Sequence, residues 1–234
     1  MNRTPVTRRA LLGAGLGAGG GLALTVLTAQ AGHAAYPVRR RGDSGPVVRA
    51  LQQVLSERGY WCGTPDGYFG HLTQQAVWAL QKSHGLVRDG VLGRQSLIAL
   101  ARGGTPLPRT LEGPGIEVDL ARQVLIAVSR EGWRVVLNTS TGNGEPYDYY
   151  GRQVKAITPT GRYAVYSTYS DGWQSGPLGD LYRPQYFTGA IAVHGSEEIP
   201  PEPASHGCCR VSVAAMDMIW STGLMTLGTP VHVV

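Results

Sequence analysis

The sequence predicts an α+β fold in which a small three-helix N-terminal domain precedes a mainly β domain. Apolar residues recur at helical spacing between residues 46 and 101, and they alternate with a period of two after residue 114. A Gly- and Pro-rich stretch over residues 103–113 separates the two patterns and predicts a linker. The 33 glycines among 234 residues suit a turn-rich β domain better than a helical bundle.

Residues 1–35 predict an export signal. Arg8 and Arg9 stand directly before an uncharged Gly/Ala/Leu stretch, and Ala29-Gln30-Ala31 offers a cleavage site. The arginine pair resembles a twin-arginine signal, so we expect a secreted or wall-associated protein that uses this route or the general secretory route. An uncleaved membrane anchor is the alternative. No later uncharged run approaches the ~20 residues of a bilayer span, so no other membrane association is expected.

The net charge argues against a nucleic-acid partner. The formal charge is +5, but Arg3, Arg8 and Arg9 fall within the export segment, which leaves +2 for the rest of the chain. The longest basic run after that segment is Arg39-Arg40-Arg41, which is too short to follow a phosphate backbone.

Three helices are predicted in the first domain. The first is expected to end at Gly59 and the second at Gly85, because glycine commonly ends helices. The apolar positions are Val47, Val48, Leu51, Val54 and Leu55 in the first helix, Ala76, Val77 and Leu80 in the second, and Leu97, Leu100 and Ala101 in the third.

An internal repeat lies between these helices. Asp66-Gly67-Tyr68-Phe69-Gly70 is followed by Thr73, and Asp89-Gly90-Val91-Leu92-Gly93 is followed by Ser96. Asp-Gly makes a tight turn because glycine reaches positive φ without strain. The apolar residue after each turn is expected to enter the core, which predicts two similar helical units.

Residues 44–102 closely resemble the widespread peptidoglycan-binding domain. The resemblance rests on Leu51-Gln52-Gln53-Val54-Leu55, Gly59-Tyr60, Thr73, Ala76-Val77 and the two Asp-Gly turns. It implies a non-catalytic anchor that binds the glycan or the stem peptide of the bacterial wall; a generic three-helix adaptor is the alternative. Cys62 departs from the usual residue at its position and is expected to be a small buried hydrophobe.

The second domain, residues 114–234, predicts strands and one helix. Strands are expected at Ile116–Leu120, 123–128, 133–137, 161–166, 189–194 and 230–234, with Arg130–Gly132 as a hairpin turn. The helix is expected from Ser212, as its N-cap, to Trp220, with Gly223 ending it. The linker and the separate periodicities predict that this domain stays folded when residues 36–105 are deleted.

The residues with the clearest chemical potential lie between His194 and Arg210. A free thiol titrates near ~8.5, and a nearby histidine can remove its proton while an arginine favours the thiolate. His194 ends an apolar strand, and His206 and Arg210 each lie two residues from Cys208. Gly207 removes a side chain beside the thiol, so the N–H groups of Gly207 and Cys208 are expected to face a developing oxyanion.

Two other uses of these residues are less consistent with their spacing. A zinc site would need the adjacent residues Cys208 and Cys209 to share a tetrahedron with His194 and His206, which is geometrically poor. A disulfide between the adjacent cysteines would close a strained ring. The odd number of cysteines, three, leaves at least one thiol unpaired within the chain.

The pattern His194-Gly195, nine residues, then Ser205-His206-Gly207-Cys208-x-Arg210 resembles the signature of the L,D-transpeptidases, the YkuD-like family. The resemblance extends over nearly all of 114–234, including 140–142 and 158–163, and implies a β-sandwich. It implies Cys208 as nucleophile and His194 as base. It further implies oxyanion or orienting roles for Ser205, His206 and Gly207, and substrate binding by Gly195 and Arg210. Cys209 departs from the usual aliphatic residue and is expected to face the core.

The resemblance also implies a reaction. The thiolate attacks the third residue of a peptidoglycan tetrapeptide stem, D-Ala leaves, and a neighbouring stem amine resolves the thioester to give a 3→3 cross-link. No cofactor or metal is expected, and carbapenem β-lactams are expected inhibitors. An L,D-carboxypeptidase on the same scaffold and a non-catalytic wall-binding protein are the alternatives. A papain-like endopeptidase is disfavoured because its cysteine usually precedes its histidine.

Overall fold

The computed structural model describes residues 38–234, so the export signal predicted over residues 1–35 lies outside the described residues. Its first part contains three helices, α1 (Pro46–Glu57), α2 (His71–Ser83) and α3 (Arg94–Arg102). Proline suits the first position of α1 because its fixed φ is already helical. Within residues 38–234, no helix is long and apolar enough to cross a membrane.

A buried glutamine anchors the first unit of the repeat. The Gln52 amide donates to Asp66 Oδ1 at 2.8 Å and to Thr73 Oγ1 at 2.9 Å, while its Oε1 accepts the Gly67 N–H at 2.8 Å. The amide therefore joins α1, the Asp-Gly turn and the start of α2.

Gln81 does the same in the second unit. Its amide donates to Asp89 Oδ1 at 2.6 Å and to Ser96 Oγ at 3.2 Å, and its Oε1 accepts the Gly90 N–H at 3.0 Å. The sequence repeat of Asp-Gly turns thus includes a buried amide on the preceding helix, which the sequence analysis did not identify.

The second part is mainly β and confirms the predicted α+β class. Its strands are β1 (Gly115–Asp119), β2 (Val124–Val128), β3 (Arg134–Asn138), β4 (Pro146–Tyr149), β5 (Arg152–Lys155), β6 (Gly161–Ala164), β7 (Ser167–Thr168), β8 (Trp173–Gly176), β9 (Gly179–Thr188), β10 (Ile191–Ser196), β11 (Cys209–Ser212) and β12 (Pro230–Val233). The predicted helix is α4 (Val213–Thr222), which brings the described helices to four. Ser212 Oγ caps it by accepting the Ala215 N–H at 3.1 Å, and Gly223 ends it with a φ of +66°.

Two five-stranded sheets and one hairpin make up this domain. The first sheet has the order β3-β2-β1-β12-β6; in the second, β11-β10-β9-β7 are neighbours and β8 pairs with β9. Strands β4 and β5 pair only with each other. The main core joins residues of both sheets and α4, among them Ile116, Leu125, Val193, Val211 and Met216. The domain is therefore a sandwich closed by one helix.

The other face of the first sheet lies beneath the N-terminal helices. Val124, Ile126 and Val136 are each 0% exposed and belong to the same apolar cluster as Val77 and Leu80 of α2. Removing the helices would expose this face to water. The shared core therefore argues against the predicted independence of the second domain from residues 36–105.

A buried lysine joins the two parts beside that apolar cluster. Lys82 Nζ of α2 donates to Gln123 O at 2.9 Å, to Thr139 O at 3.0 Å and to Asn138 Oδ1. Burial lowers the pKa of Lys82 to about 7. The three oxygen acceptors oppose this effect, because only the ammonium form supplies three N–H donors.

The connecting segment is also attached to the sandwich. The carboxylate of Glu117, buried in β1, accepts the backbone N–H groups of Arg109 at 2.6 Å and of Thr110 at 2.7 Å. The Leu111 N–H donates to the same carboxylate at 3.2 Å. The predicted linker is thus held on the first sheet at its C-terminal end.

Candidate active site

The pairing of β10 with β11 brings the predicted catalytic residues together. These strands are parallel, with His194 opposite Arg210 and Val193 opposite Cys209. Because side chains alternate along a strand, Val193 and Cys209 face the core while His194 and Arg210 face the other way. Cys208 directly precedes β11, and the Ala192 N–H donates to its Sγ at 3.4 Å. Cys208 therefore shares the face of His194 and Arg210.

The Cys208 thiol is partly exposed and neutral in its resting environment. Its Sγ also lies 3.6 Å from Ala190 O, to which it can donate. Burial raises the pKa of the Cys208 thiol, whereas the Ala192 N–H and the positive charge of Arg210 lower it. A base is therefore needed to generate the thiolate near neutral pH.

His194 is poised as that base. The side chain is 5% exposed, and its Nδ1 lies 2.8 Å from Gly195 O. A carbonyl can only accept, so Nδ1 carries the proton and Nε2 keeps a free lone pair. Burial lowers the pKa of His194 to about 4, and Arg210 acts in the same direction, while the bond to Gly195 opposes both. The imidazole is therefore neutral at neutral pH.

Ser205 stabilises the turn before Cys208 through two hydrogen bonds. Its Oγ accepts the Gly207 N–H at 3.0 Å and donates to Cys208 O at 2.6 Å. Thr158 Oγ1 donates to Gly207 O at 2.6 Å. The Gly207 N–H, one of the two predicted oxyanion donors, is thus engaged by Ser205. The Cys208 N–H has no acceptor within residues 38–234.

Gly207 is required by both conformation and space. Its φ is +143°, in the region that favours glycine. A Cβ at this position would lie 2.9 Å from Ile157 O, which is closer than such contacts allow. Only glycine lets the chain pass beside residue 157 and present Cys208 at the strand end.

Arg210 is held through its backbone and presents an unpaired charge. Its N–H donates to Ser140 O at 3.0 Å, and its carbonyl accepts the Ser140 N–H at 3.3 Å and Thr139 Oγ1 at 2.8 Å. No acidic side chain within residues 38–234 forms a salt bridge with it. The guanidinium is therefore available to a carboxylate of a ligand.

Gly195 contributes packing at this site. It is buried, its carbonyl orients His194, and an added Cβ would lie 2.9 Å from Cδ1 of Tyr182. The close approach of Tyr182 explains why glycine stands here, and the substrate contact of Gly195 stays a prediction.

Residues 113–233 match the family model of the L,D-transpeptidase catalytic domain, YkuD. The chain belongs to the L,D-transpeptidase family. Residues 44–100 match the model of the peptidoglycan binding domain. A crystal structure of an L,D-transpeptidase (residues 123–326) from Xylanimonas cellulosilytica is 48% identical, with a TM-score of 0.81, and the match covers 86% of this chain and 99% of that one. The helical domain and the sandwich thus occur together in a solved relative of the transpeptidase family.

Two curated relatives are similar over shorter stretches. The N-acetylmuramoyl-L-alanine amidase CwlM of Mycobacterium tuberculosis is 35% identical over 68 residues, which are 26% of this chain and 17% of the amidase. The amidase CwlL of Bacillus licheniformis is 37% identical over 79 residues, which are 33% of this chain and 22% of the amidase. The chain spans less than a quarter of either amidase.

In this member of the L,D-transpeptidase family, the His206 ring contacts the β4–β5 hairpin. The ring is exposed and lies edge-on to Tyr147, with centroids 4.6 Å apart. Tyr147 belongs to β4, whose neighbours Tyr149 and Tyr150 also contact each other, with centroids 4.8 Å apart. This aromatic hairpin was not predicted, although its sequence signal is visible as three tyrosines within residues 147–150.

Tyr186 is a second site residue that the sequence analysis missed. It lies opposite Ala192 in the β9–β10 ladder, and its hydroxyl donates to Gln174 Oε1 at 2.7 Å. Burial, then the neighbouring Cys208 and Tyr166, raise the pKa of Tyr186. The candidate active site is thus bordered by a neutral phenol on the side of β9.

The three cysteines are all reduced in this structure. Cys62 and Cys209 are buried, and Cys208 is partly exposed. Burial raises the pKa of the Cys209 thiol far above its usual range. Among residues 38–234, no group of three or more His, Cys, Asp or Glu side chains is placed to hold a metal ion.

Proposed function

We propose that the protein forms 3→3 cross-links between peptidoglycan stem peptides through a thioester on Cys208. The supporting observation is that Cys208 and His194 lie on the same face of the β10–β11 pair. His194 is neutral there, and its Nε2 is free. A neutral imidazole beside a neutral thiol suits general-base activation at the moment of attack.

In the first half-reaction, His194 Nε2 takes the Sγ proton as the thiolate attacks the carbonyl of the third stem residue. The C–N bond to terminal D-Ala breaks, and the imidazolium returns its proton to the leaving amine. The Cys208 N–H is the best-placed oxyanion donor, because Ser205 engages that of Gly207. The unpaired Arg210 suits a stem carboxylate.

In the second half-reaction, a side-chain amine of a neighbouring stem attacks the thioester. His194 accepts the amine proton, the new amide forms, and the Cys208 thiol is released. Water in place of the amine would give the carboxypeptidase outcome. No step needs a group beyond the chain and its two stems.

The location proposed for this reaction is the cell wall outside the membrane. The export signal predicted over residues 1–35 and the match of residues 44–100 to the peptidoglycan binding domain support this location. We propose that the N-terminal domain keeps the enzyme on its polymeric substrate.

The test is incubation of residues 36–234 with a purified disaccharide-tetrapeptide, followed by mass spectrometry. The expected product is a dimer lacking one D-Ala, formed by the wild type and not by Cys208→Ala. Only trimmed tripeptide would support the carboxypeptidase instead. No product, or product unchanged in Cys208→Ala, would contradict the proposal.

A further inference from the structure

We propose that the cleft between the helical domain and the sandwich binds the sugar backbone of peptidoglycan, through its N-acetylated amino sugars. This inference deepens the proposed function and rests on it. The site is separate from Cys208. The cleft is lined by residues at the start of β3, whereas the chain after the end of β3 pairs with Arg210 near Cys208.

The cleft has a volume of about 390 Å³ and both domains line it. The helical domain contributes residues from the end of α1 and the loop after it, the linker contributes one residue, and the sandwich contributes the β2–β3 turn and the start of β3. The lining residues are Ser56, Glu57, Gly59, Trp61, Thr105 and residues 132–135.

The walls of the cleft are fixed relative to each other. The Val136 N–H donates to Gly59 O at 2.8 Å, and the Trp61 N–H donates to Val136 O at 3.4 Å, so the loop after α1 continues the sheet at β3. Gly59 has a φ of +82° and leaves no room for a Cβ beside Thr105. The cleft is thus preformed, which reduces the entropy lost when a ligand binds.

Two indole rings line this small cleft. Trp133 is 41% exposed and Trp61 is half-buried. Exposed tryptophans are costly in water and are enriched where a protein binds a partner with apolar faces. The ring faces of amino sugars carry C–H groups that pack on indoles, while their hydroxyl and acetamido groups need polar partners.

The polar lining is suited to a neutral ligand. Glu57 and Arg134 carry opposite charges, and Thr105 adds a hydroxyl. Arg134 forms no salt bridge within the described residues, and its Nε has no hydrogen-bond partner there. A stem peptide with several carboxylates would meet the Glu57 carboxylate, whereas a sugar can accept from Arg134 and donate to Glu57.

The position of the cleft relates it to the catalytic chemistry. Strand β3 runs from Arg134 at the cleft toward Ser140, which pairs with Arg210 of the candidate active site. Six residues of extended chain span about 20 Å. A stem of four residues reaches about 14 Å at most. The reacting stem would therefore hang from a sugar beyond the one in the cleft, so longer glycans should be better substrates.

Binding is measured with the tetramer of N-acetylglucosamine, which has amino sugars and no stem peptide. The wild type should bind it in calorimetry, and Trp133→Ala should weaken binding at least tenfold, with partial recovery in Trp133→Phe. The control is Trp173→Ala, which removes an indole of similar exposure, 43%, outside the cleft. Absence of binding to the wild type, or equal binding by Trp133→Ala, would overturn the inference.

Turnover separates this inference from the proposed function. On glycan chains of several disaccharides, Trp133→Ala should raise KM at least fivefold with little change in kcat. On the free tetrapeptide, which offers no sugar to the cleft, Trp133→Ala should have the same KM and kcat as the wild type. Identical kinetics of both proteins on the long chains would refute the glycan cleft alone. If the wild type turned over none of these substrates, the proposed function would be refuted instead.

Discussion

At the residue scale, the candidate site depends on two neutral groups. Burial raises the pKa of Cys208 and lowers that of His194 to about 4, so both effects oppose a resting thiolate–imidazolium pair. In the proposed mechanism, the Cys208 thiol is activated only when a substrate carbonyl is in place and the proton can move to His194 Nε2. The neutral state protects Cys208 from oxidation, since the thiolate is the reactive form.

The first prediction concerns the titration of Cys208. Its alkylation by iodoacetamide should accelerate continuously as the pH rises from 6 to 9, because the thiolate fraction grows throughout that range. Labelling is followed by intact mass, and Cys208→Ala should abolish it because Cys62 and Cys209 are buried. A fast, pH-independent rate between pH 5 and 7 would reveal a preformed ion pair and contradict this account.

The second prediction concerns the stability contributed by neutral His194. The unfolded histidine binds a proton below its ordinary pKa of ~6.5, whereas the folded one binds it only near 4. The contribution of neutral His194 to the free energy of unfolding should therefore be fully present above pH 6.5. It should fall by about 3 kcal/mol as the pH drops through 4. Urea unfolding at pH 7 and pH 4 should show a smaller difference for His194→Gln. His206→Gln, which changes an exposed ring, is the control and should match the wild type.

Residues that act within a short sequence motif could be predicted, whereas those that act across the fold could not. Cys208, His194 and Arg210 were identified because their spacing and chemistry are visible along the chain. Lys82, Tyr147 and Tyr186 acquire their roles through partners that lie up to 59 residues away. Their side chains are ordinary in sequence, and only the folded contacts make them distinctive.

At the element scale, most segments that bury an apolar face were predicted, whereas β9, β11 and the two-sided polar strands were missed. Helices α1 to α4 and strands β1 to β3 each bury apolar residues, and those residues recur at a regular spacing in the sequence. Strands β4, β5 and β8 are largely exposed, so no alternation marks them. Their pairing comes from hairpin contacts and not from burial.

The third prediction concerns the turn that presents Cys208. Ser205→Ala removes the hydroxyl that accepts the Gly207 N–H and donates to Cys208 O, so the turn loses both of these hydrogen bonds. We expect kcat to fall at least tenfold, with KM little changed, and stability to drop by about 1–3 kcal/mol. Ser205→Thr, which keeps the hydroxyl, should recover part of kcat. The control is Ser170→Ala, in an exposed loop, which should resemble the wild type. Unchanged kcat in Ser205→Ala would show that the Ser205 hydrogen bonds are not needed for turnover.

At the scale of the whole molecule, the two domains share an apolar cluster and buried hydrogen bonds. The face of the first sheet that would otherwise meet water is covered by α2, and the apolar residues beneath it are fully buried. Domains docked in this way hold the interdomain cleft at a fixed distance from Cys208. The linker composition alone suggested two independent units, because interdomain burial has no signature in a single sequence.

The fourth prediction concerns the lysine that crosses the interface. Lys82→Met keeps most of the side-chain volume but removes the amine that donates to Thr139 O and Asn138 Oδ1. Gln123 O loses the same donor and keeps the Thr139 N–H. The free energy of unfolding should fall by about 2–4 kcal/mol, measured by urea denaturation. Lys155→Met, in exposed β5, should change it by less than about 0.5 kcal/mol. Equal effects of the two substitutions would show that the buried amine does not stabilise the docked domains.

The fifth prediction concerns Cys208 as the acylated nucleophile. A carbapenem should acylate the enzyme, because the thiolate opens the strained β-lactam ring and the whole inhibitor stays attached as a thioester. Intact-mass analysis of the wild type should show one adduct, and peptide mapping should place it on Cys208. Cys209→Val should give the same adduct, since Cys209 is buried and faces the core. No adduct on the wild type, or an adduct that persists in Cys208→Ser, would contradict the account.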